Sequence, residues 1–177
     1  MRGRIAGLAG LIVGAGAAAL AAPAPSTPVA ALAGRYSHHF TDRLVDGTAY
    51  PADDVAEIVP INATHAYVRF ALDFANGHSC SLAGIAAASG DALVYVEPAD
   101  KAVEGVGRCT LAIRRDGDRL AWTDGGSCAA YCGARGTFRT GDLPWASHRP
   151  ISYLARLRTS REYRDALTEW RTGHAAP

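Results

Sequence analysis

Several patterns that would announce an activity are missing from this chain. No Gly-x-Ser-x-Gly elbow is present, so the sequence carries no hydrolase nucleophile signature. Cys-x-x-Cys is absent, which argues against a thioredoxin-type redox pair. The paired cysteine knuckles of structural zinc sites are also lacking. A looser set, Cys128-x3-Cys132 with Cys80, Cys109 or His78, has tolerable spacing, but an oxidising compartment argues against it. No cysteine follows the N-terminal apolar run, so a lipid-anchored lipoprotein is not expected. Neither an internal repeat nor a low-complexity run appears beyond residue 34. No metal and no cofactor is implied.

Charge of either sign is missing between Arg4 and Arg35. Arg2 and Arg4 precede an Ala- and Gly-rich apolar run from Ile5 to Ala22, the pattern of a secretory signal peptide. Peptidase-type small residues occur at Ala19-Leu20-Ala21 and at Ala31-Leu32-Ala33. The alternative is a single membrane anchor. Eighteen residues are near the lower limit for spanning, and Ala and Gly partition weakly into lipid. The expected organisation is therefore a signal at 1–22, a flexible Pro-containing spacer at 23–34, and one disulfide-bonded β domain at 35–177. Periplasmic or secreted localisation follows, with no membrane contact after cleavage.

All four cysteines, Cys80, Cys109, Cys128 and Cys132, fall in the mature part, and an even count in an exported chain implies two disulfides. Cys128 and Cys132 would lie about 13 Å apart in an extended strand, beyond disulfide reach. They can pair only across a turn. The reading leans to Cys109–Cys128 with Cys80–Cys132; the rival is Cys80–Cys109 with Cys128–Cys132.

From Gly34 to Gly107 the chain has four Lys/Arg against ten Asp/Glu, and from Arg108 onward twelve Arg against seven acids. Two halves of one fold neutralising each other explains this asymmetry. The interleaved acids argue against a nucleic-acid partner.

Short strands punctuated by turns dominate the middle of the chain. Ala66–Phe74 runs to Asn76-Gly77, a hairpin dipeptide, and His78–Ala87 returns. Ser89-Gly90-Asp91 leads to Ala92–Glu97, stopped by Pro98. Cys109, Leu111 and Ile113 alternate on one face. With a turn at Asp116-Gly117, Ile113 faces Leu120 and Leu111 faces Trp122. The chain turns again at Asp124-Gly125-Gly126 and continues through Ser127 to Phe138. Arg35–Leu44 and Val55–Ile61 each offer a further strand, while Asp53-Asp54, after Pro51, reads as a solvated turn.

The spacing predicts a mainly β fold, an antiparallel barrel or sandwich of six to eight strands with a C-terminal α-helix. That helix is expected at about 159–172. Thr159-Ser160-Arg161-Glu162 reads as its capping box, and Tyr163, Ala166, Leu167 and Trp170 form its apolar face. A shorter helix can begin at Pro150–Leu154.

Catalytic candidates are generic. Six histidines are present, and Ser79 with His65 or His78 and Asp73 can be written as a triad; chains of this size commonly offer such a set. More distinctive are Gly77–Ala86, Cys109–Ile113 and Cys128–Phe138. Together they resemble small exported bacterial β-domains whose cysteine-bearing strands end in a Cys-Gly…Gly-x-Phe stretch, in particular the LprI-type periplasmic lysozyme inhibitors. The resemblance covers residues 77–138, and the chain lacks the Ser and Lys loop of membrane-bound lysozyme inhibitors. It implies a non-enzymatic exported binding module, with an envelope protein or lysozyme as partner. Tyr131, Arg135 and Arg139 are the candidate partner-binding residues, since aromatic and Arg side chains dominate interface energetics; core packing of Tyr131 is the structural alternative. A small-molecule carrier, with a barrel interior lined by Phe70, Leu93, Leu111 and Trp122, is the second reading.

Overall fold

Alternating apolar residues need a closed interior to face, and eight strands supply it. The computed structural model describes residues 26–174 apart from 103 and 106, so the signal segment lies outside the described residues. The strands are β1 (Gly34–Arg43), β2 (Ala49–Pro60), β3 (His65–Phe74), β4 (His78–Ser89), β5 (Ala92–Val96), β6 (Thr110–Asp116), β7 (Arg119–Thr123) and β8 (Thr140–Pro144). Each pairs antiparallel with its neighbours in chain order, giving one up-and-down sheet. This sheet curls into a nearly closed barrel. Across the last seam, Arg35 and Arg149 exchange two backbone hydrogen bonds of 2.9 Å. The Ser147 hydroxyl accepts the Ser37 amide at 3.1 Å and donates to the Pro144 carbonyl.

The inward face is filled by side chains. Phe70 meets Trp122 edge-on at 5.1 Å and Phe138 at 5.8 Å. Leu93, Leu111, Ile113, Leu120 and Leu143 complete the layers and are fully buried. Burying each such leucine or isoleucine contributes about 1.5–3 kcal/mol.

At one end the barrel is plugged by α1 (Pro28–Leu32), which buries Val29 and Leu32 against the core. Thr27 caps it, its hydroxyl accepting the Ala30 amide at 3.3 Å. A five-residue helix has no stability alone; the two buried side chains hold it. Part of the segment read as a flexible spacer is therefore structured. The triplet Ala31-Leu32-Ala33 lies in this plug, so a cut after Ala33 would remove it.

The β6–β7 register differs from the expected one by two residues. Ile113 faces Trp122 and Arg115 faces Leu120. Gly117, at φ 57°, takes the first of the two central turn positions, where glycine relieves the strain of positive φ. A slip of two keeps every side chain on its face, so the apolar alternation is unchanged. Asp53 and Asp54 are in β2 rather than in a turn. Pro51 is tolerated there because the β2–β3 ladder begins only at Val55, leaving one side of β2 unpaired.

Two helices cover the outside of β2–β4: α2 (Leu154–Arg158) and α3 (Arg161–His174). Tyr163 and Ala166 are buried with Val59, Tyr67 and Leu157, and Leu167 packs beside them. Ser160, not Thr159, caps α3, its hydroxyl accepting the Tyr163 amide at 3.2 Å. Thr159 is occupied in ending α2, where its hydroxyl bonds the Arg156 carbonyl. The helix consequently starts and stops later than the expected 159–172, and Glu162, freed from capping, pairs with Arg69 at 3.0 Å.

Candidate functional site

The end of the barrel opposite α1 is where the cysteines gather. They pair as Cys80–Cys132 and Cys109–Cys128, the combination the sequence favoured. Both bonds hold the segment between β7 and β8 over the barrel mouth. Residues Ser127 to Phe138, expected to continue the sheet, instead contain a 3₁₀ turn at Ala129–Tyr131. Two cysteines four residues apart that reach different walls cannot lie in one extended strand. Gly133 donates to the Ser79 carbonyl at 2.8 Å, so the loop docks on β4. Phe138 points inward and closes the mouth from above.

Two buried carboxylates set this loop. Asp124 accepts the Gly126 and Cys128 amides at 2.6 and 2.9 Å. Glu97 accepts the Cys109 amide at 2.9 Å and the Tyr131 hydroxyl at 2.6 Å. The Tyr95 and Tyr131 hydroxyls lie 3.2 Å apart, completing a short chain. Burial, and then the bond to Glu97, push the Tyr131 phenol well above its ordinary value. Tyr131 is half-buried against the core with its hydroxyl engaged, which is the structural alternative for that residue.

The other two predicted contact residues stay at the surface. Arg135 and Arg139 are exposed on the same loop, the Arg139 guanidinium lying over Gly126. Sequence reasoning missed another feature at the same end of the barrel. The tip of the β1–β2 hairpin carries Leu44 and Val45, which are 41% and 81% exposed. This tip is braced: the Val45 amide donates to Asn76 Oδ1 at 3.0 Å, and the Tyr50 hydroxyl accepts the Gly77 amide at 3.0 Å. Asn76 adopts φ 64° in the β3–β4 turn, a left-handed conformation that asparagine tolerates. The available signal was the apolar pair directly before Asp46-Gly47.

Of the catalytic candidates, Asp73 and Ser79 are cross-strand neighbours. His78 precedes Ser79 in β4, so strand alternation turns its side chain to the opposite face. His65 lies eight residues up β3, about 26 Å away at the usual rise. Asp73 accepts the Asp53 amide at 3.0 Å, and Asp54 accepts the Asp73 amide at 2.8 Å, stitching β2 to β3 where their ladder has ended. All four cysteine sulfurs are in disulfides, which removes them as zinc ligands. Two disulfides mark an oxidising, non-cytoplasmic environment. Phe70, Leu93, Leu111 and Trp122, the proposed carrier lining, are packed core.

Asp54 provides a pH test of this end. Burial raises its pKa, the Asp73 amide opposes that, and the charges of Asp73 and Asp53 add to the rise. A raised carboxyl gives stability that is fully present in acid and lost as pH climbs through its folded value. Asp54→Asn, which still accepts the amide, should melt higher than wild type at neutral pH. The two should converge near pH 3, below the ordinary carboxylate range. Identical melting curves at neutral pH would contradict the assignment.

The chain matches no protein-family model, no curated protein and no solved structure.

Proposed function

We propose that this protein is a non-enzymatic, exported binding module that engages a protein partner through the disulfide end of its barrel. The observation that carries this reading is Val45, 81% exposed at the tip of a hairpin tied to its neighbour through Asn76. A large apolar side chain held rigidly in water suits insertion into a partner's cleft, because little ordering entropy remains to be lost on binding. Arg135 and Arg139, exposed on the mouth loop at the same end of the barrel, add the polar contacts that interfaces combine with an apolar centre. Two disulfides keep the surface in one shape.

The sharper form of the proposal is inhibition of an envelope-acting enzyme such as lysozyme, secreted or periplasmic like the inhibitor itself. The carrier alternative needs open space inside the barrel, and that space holds Phe70, Trp122 and Phe138. A muramidase assay with the oxidised protein tests the sharper form; absence of inhibition at micromolar protein removes lysozyme as the target. The general form is tested by capture of an envelope partner. Val45→Asp, at an exposed position that leaves the fold alone, should weaken that capture by about tenfold or more, as loss of a central apolar anchor does. Undiminished capture by Val45→Asp would overturn the hairpin's role.

A further inference from the structure

A second surface, separate from the disulfide end, has the features of a small-molecule site. The β4–β5 ladder stops at Ala86–Tyr95, although β4 continues back to His78. Pro98 follows the end of β5, and the 3₁₀ turn Ala99–Lys101 after it reaches α3 through Lys101 and Glu169. The wall is consequently split beside Gly84. Tyr95 lies against this glycine on the inside; a Cβ there would come within 2.2 Å of its ring.

Outside the split, between α3 and the β4–β5 wall, runs a groove of about 730 Å³. Its floor is Ile85, Val94 and Val96, and its helix wall is Ala166 and Trp170. One end is bounded by the ring contact of Trp170 with His65 at 5.0 Å. Across it, Lys101 of the turn Ala99–Lys101 forms an ion pair with Glu169 of α3. That pair is partly exposed and so contributes little to stability, which lets it open readily. The volume falls within the roughly 300–1,000 Å³ of small-molecule sites, and an apolar lining with few polar groups is their usual character.

Two observations point to the ligand's chemistry. Val96, on the groove floor, is 43% exposed, one of the three large apolar side chains exposed among the described residues. The fold leaves it uncovered although α3 passes alongside. At the rim, Arg108 is fixed by its Nε donating to the Glu97 carbonyl at 2.6 Å, and it has no carboxylate partner among the described residues. Of the acids on the rim, Glu169 is neutralised by Lys101, and Asp100 is exposed to solvent next to that lysine. An apolar floor ending at an uncompensated guanidinium complements a molecule with an apolar body and one anionic head.

We propose that the groove between α3 and the split β4–β5 wall binds an amphipathic monocarboxylate of medium-chain fatty-acid size. Its chain lies on Val94, Val96 and Trp170, and its carboxylate is held by Arg108. The experiment is calorimetric titration of the oxidised protein with dodecanoate, below its micelle concentration. One saturating site per chain is expected. Val96→Glu, at an exposed position, should weaken binding about tenfold or more, and Arg108→Gln should weaken dodecanoate about tenfold while leaving dodecanol unchanged. The proposal is overturned by a failure of dodecanoate to saturate, or by wild-type affinity in either variant. Dodecyltrimethylammonium binding as tightly as dodecanoate would equally overturn the choice of an anionic head.

Discussion

Serine at both Cys80 and Cys132 should lower unfolding stability by about 4 kcal/mol, the chain-entropy value for a bond between residues 52 apart. The same replacement at Cys109 and Cys128, 19 residues apart, should cost about 3 kcal/mol. Against a typical total of about 5–15 kcal/mol, either loss is large. The first variant has a local consequence as well. Cys132 is the attachment of the mouth loop to β4, and Gly136 packs beside Cys80 and Phe74. Releasing it frees Phe138 from the barrel mouth and loosens the surface that presents Arg135. Urea unfolding followed by circular dichroism measures the effect. A midpoint shift worth less than about 1 kcal/mol would mean that packing, not the cross-link, holds the loop.

Arg69→Met should be destabilising by about 3–5 kcal/mol, the cost of stranding a buried carboxylate. Glu57 is 1% exposed and faces Arg69 across the β2–β3 ladder. Its carboxylate accepts from Arg69 Nη1 at 3.2 Å and from the Tyr153 hydroxyl. Arg69 in turn reaches Glu162 on α3 while Glu57 holds Tyr153 at the start of α2, so the pair together ties the wall to both helices. Burial works against the charge of Arg69, and the two carboxylates more than restore it. The pair is asymmetric: Arg69 is 29% exposed and keeps Glu162 if Glu57 is lost, whereas the buried Glu57 would be left with the Tyr153 hydroxyl and with Arg35 opposite it on β1. Glu57→Gln should therefore cost clearly less than Arg69→Met. The double variant Glu57→Met with Arg69→Met should recover most of the loss, since an apolar pair needs no compensation. Equal costs for the two single variants would refute this assignment of the buried charge.

How much of this was readable beforehand depends on how local each feature is. Leu111 and Ile113 with Leu120 and Trp122 declare their inner face by alternation, and the structure buries all four. Their pairing was misread by two residues because a period of two is blind to even slips. Only the turn geometry at Gly117 resolves it. The α3 face from Tyr163 to Trp170 was legible because its apolar spacing repeats over two turns. Five residues of α1 carry no such repeat, and their Pro- and Ala-rich composition suggests a linker. Burial of Val29 and Leu32 in the barrel end overrides that composition.

The candidate surfaces were less legible still. Arg135 and Arg139 were accessible to reasoning from residue type, but Tyr131 was not. Whether a tyrosine is an anchor or a brace depends on Glu97, 34 residues away. Val45 escaped notice because exposure of an apolar residue belongs to the assembled surface, not to the pattern along the chain. The groove beside α3 joins residues from 65 to 173 and exists only because the β4–β5 ladder ends early.

By itself, the order of residues determined most of the strands and their turns, the helix face and the favoured cysteine pairing. These follow from steric and hydrophobic periods that act over a few neighbours. Tertiary structure alone decided barrel closure, the α1 plug, the braced hairpin tip and the split in the wall. Each of those arises where segments far apart in sequence compete for the same space or the same hydrogen-bonding edge. Such competition leaves no trace in a local pattern, because it is settled only when the partners meet.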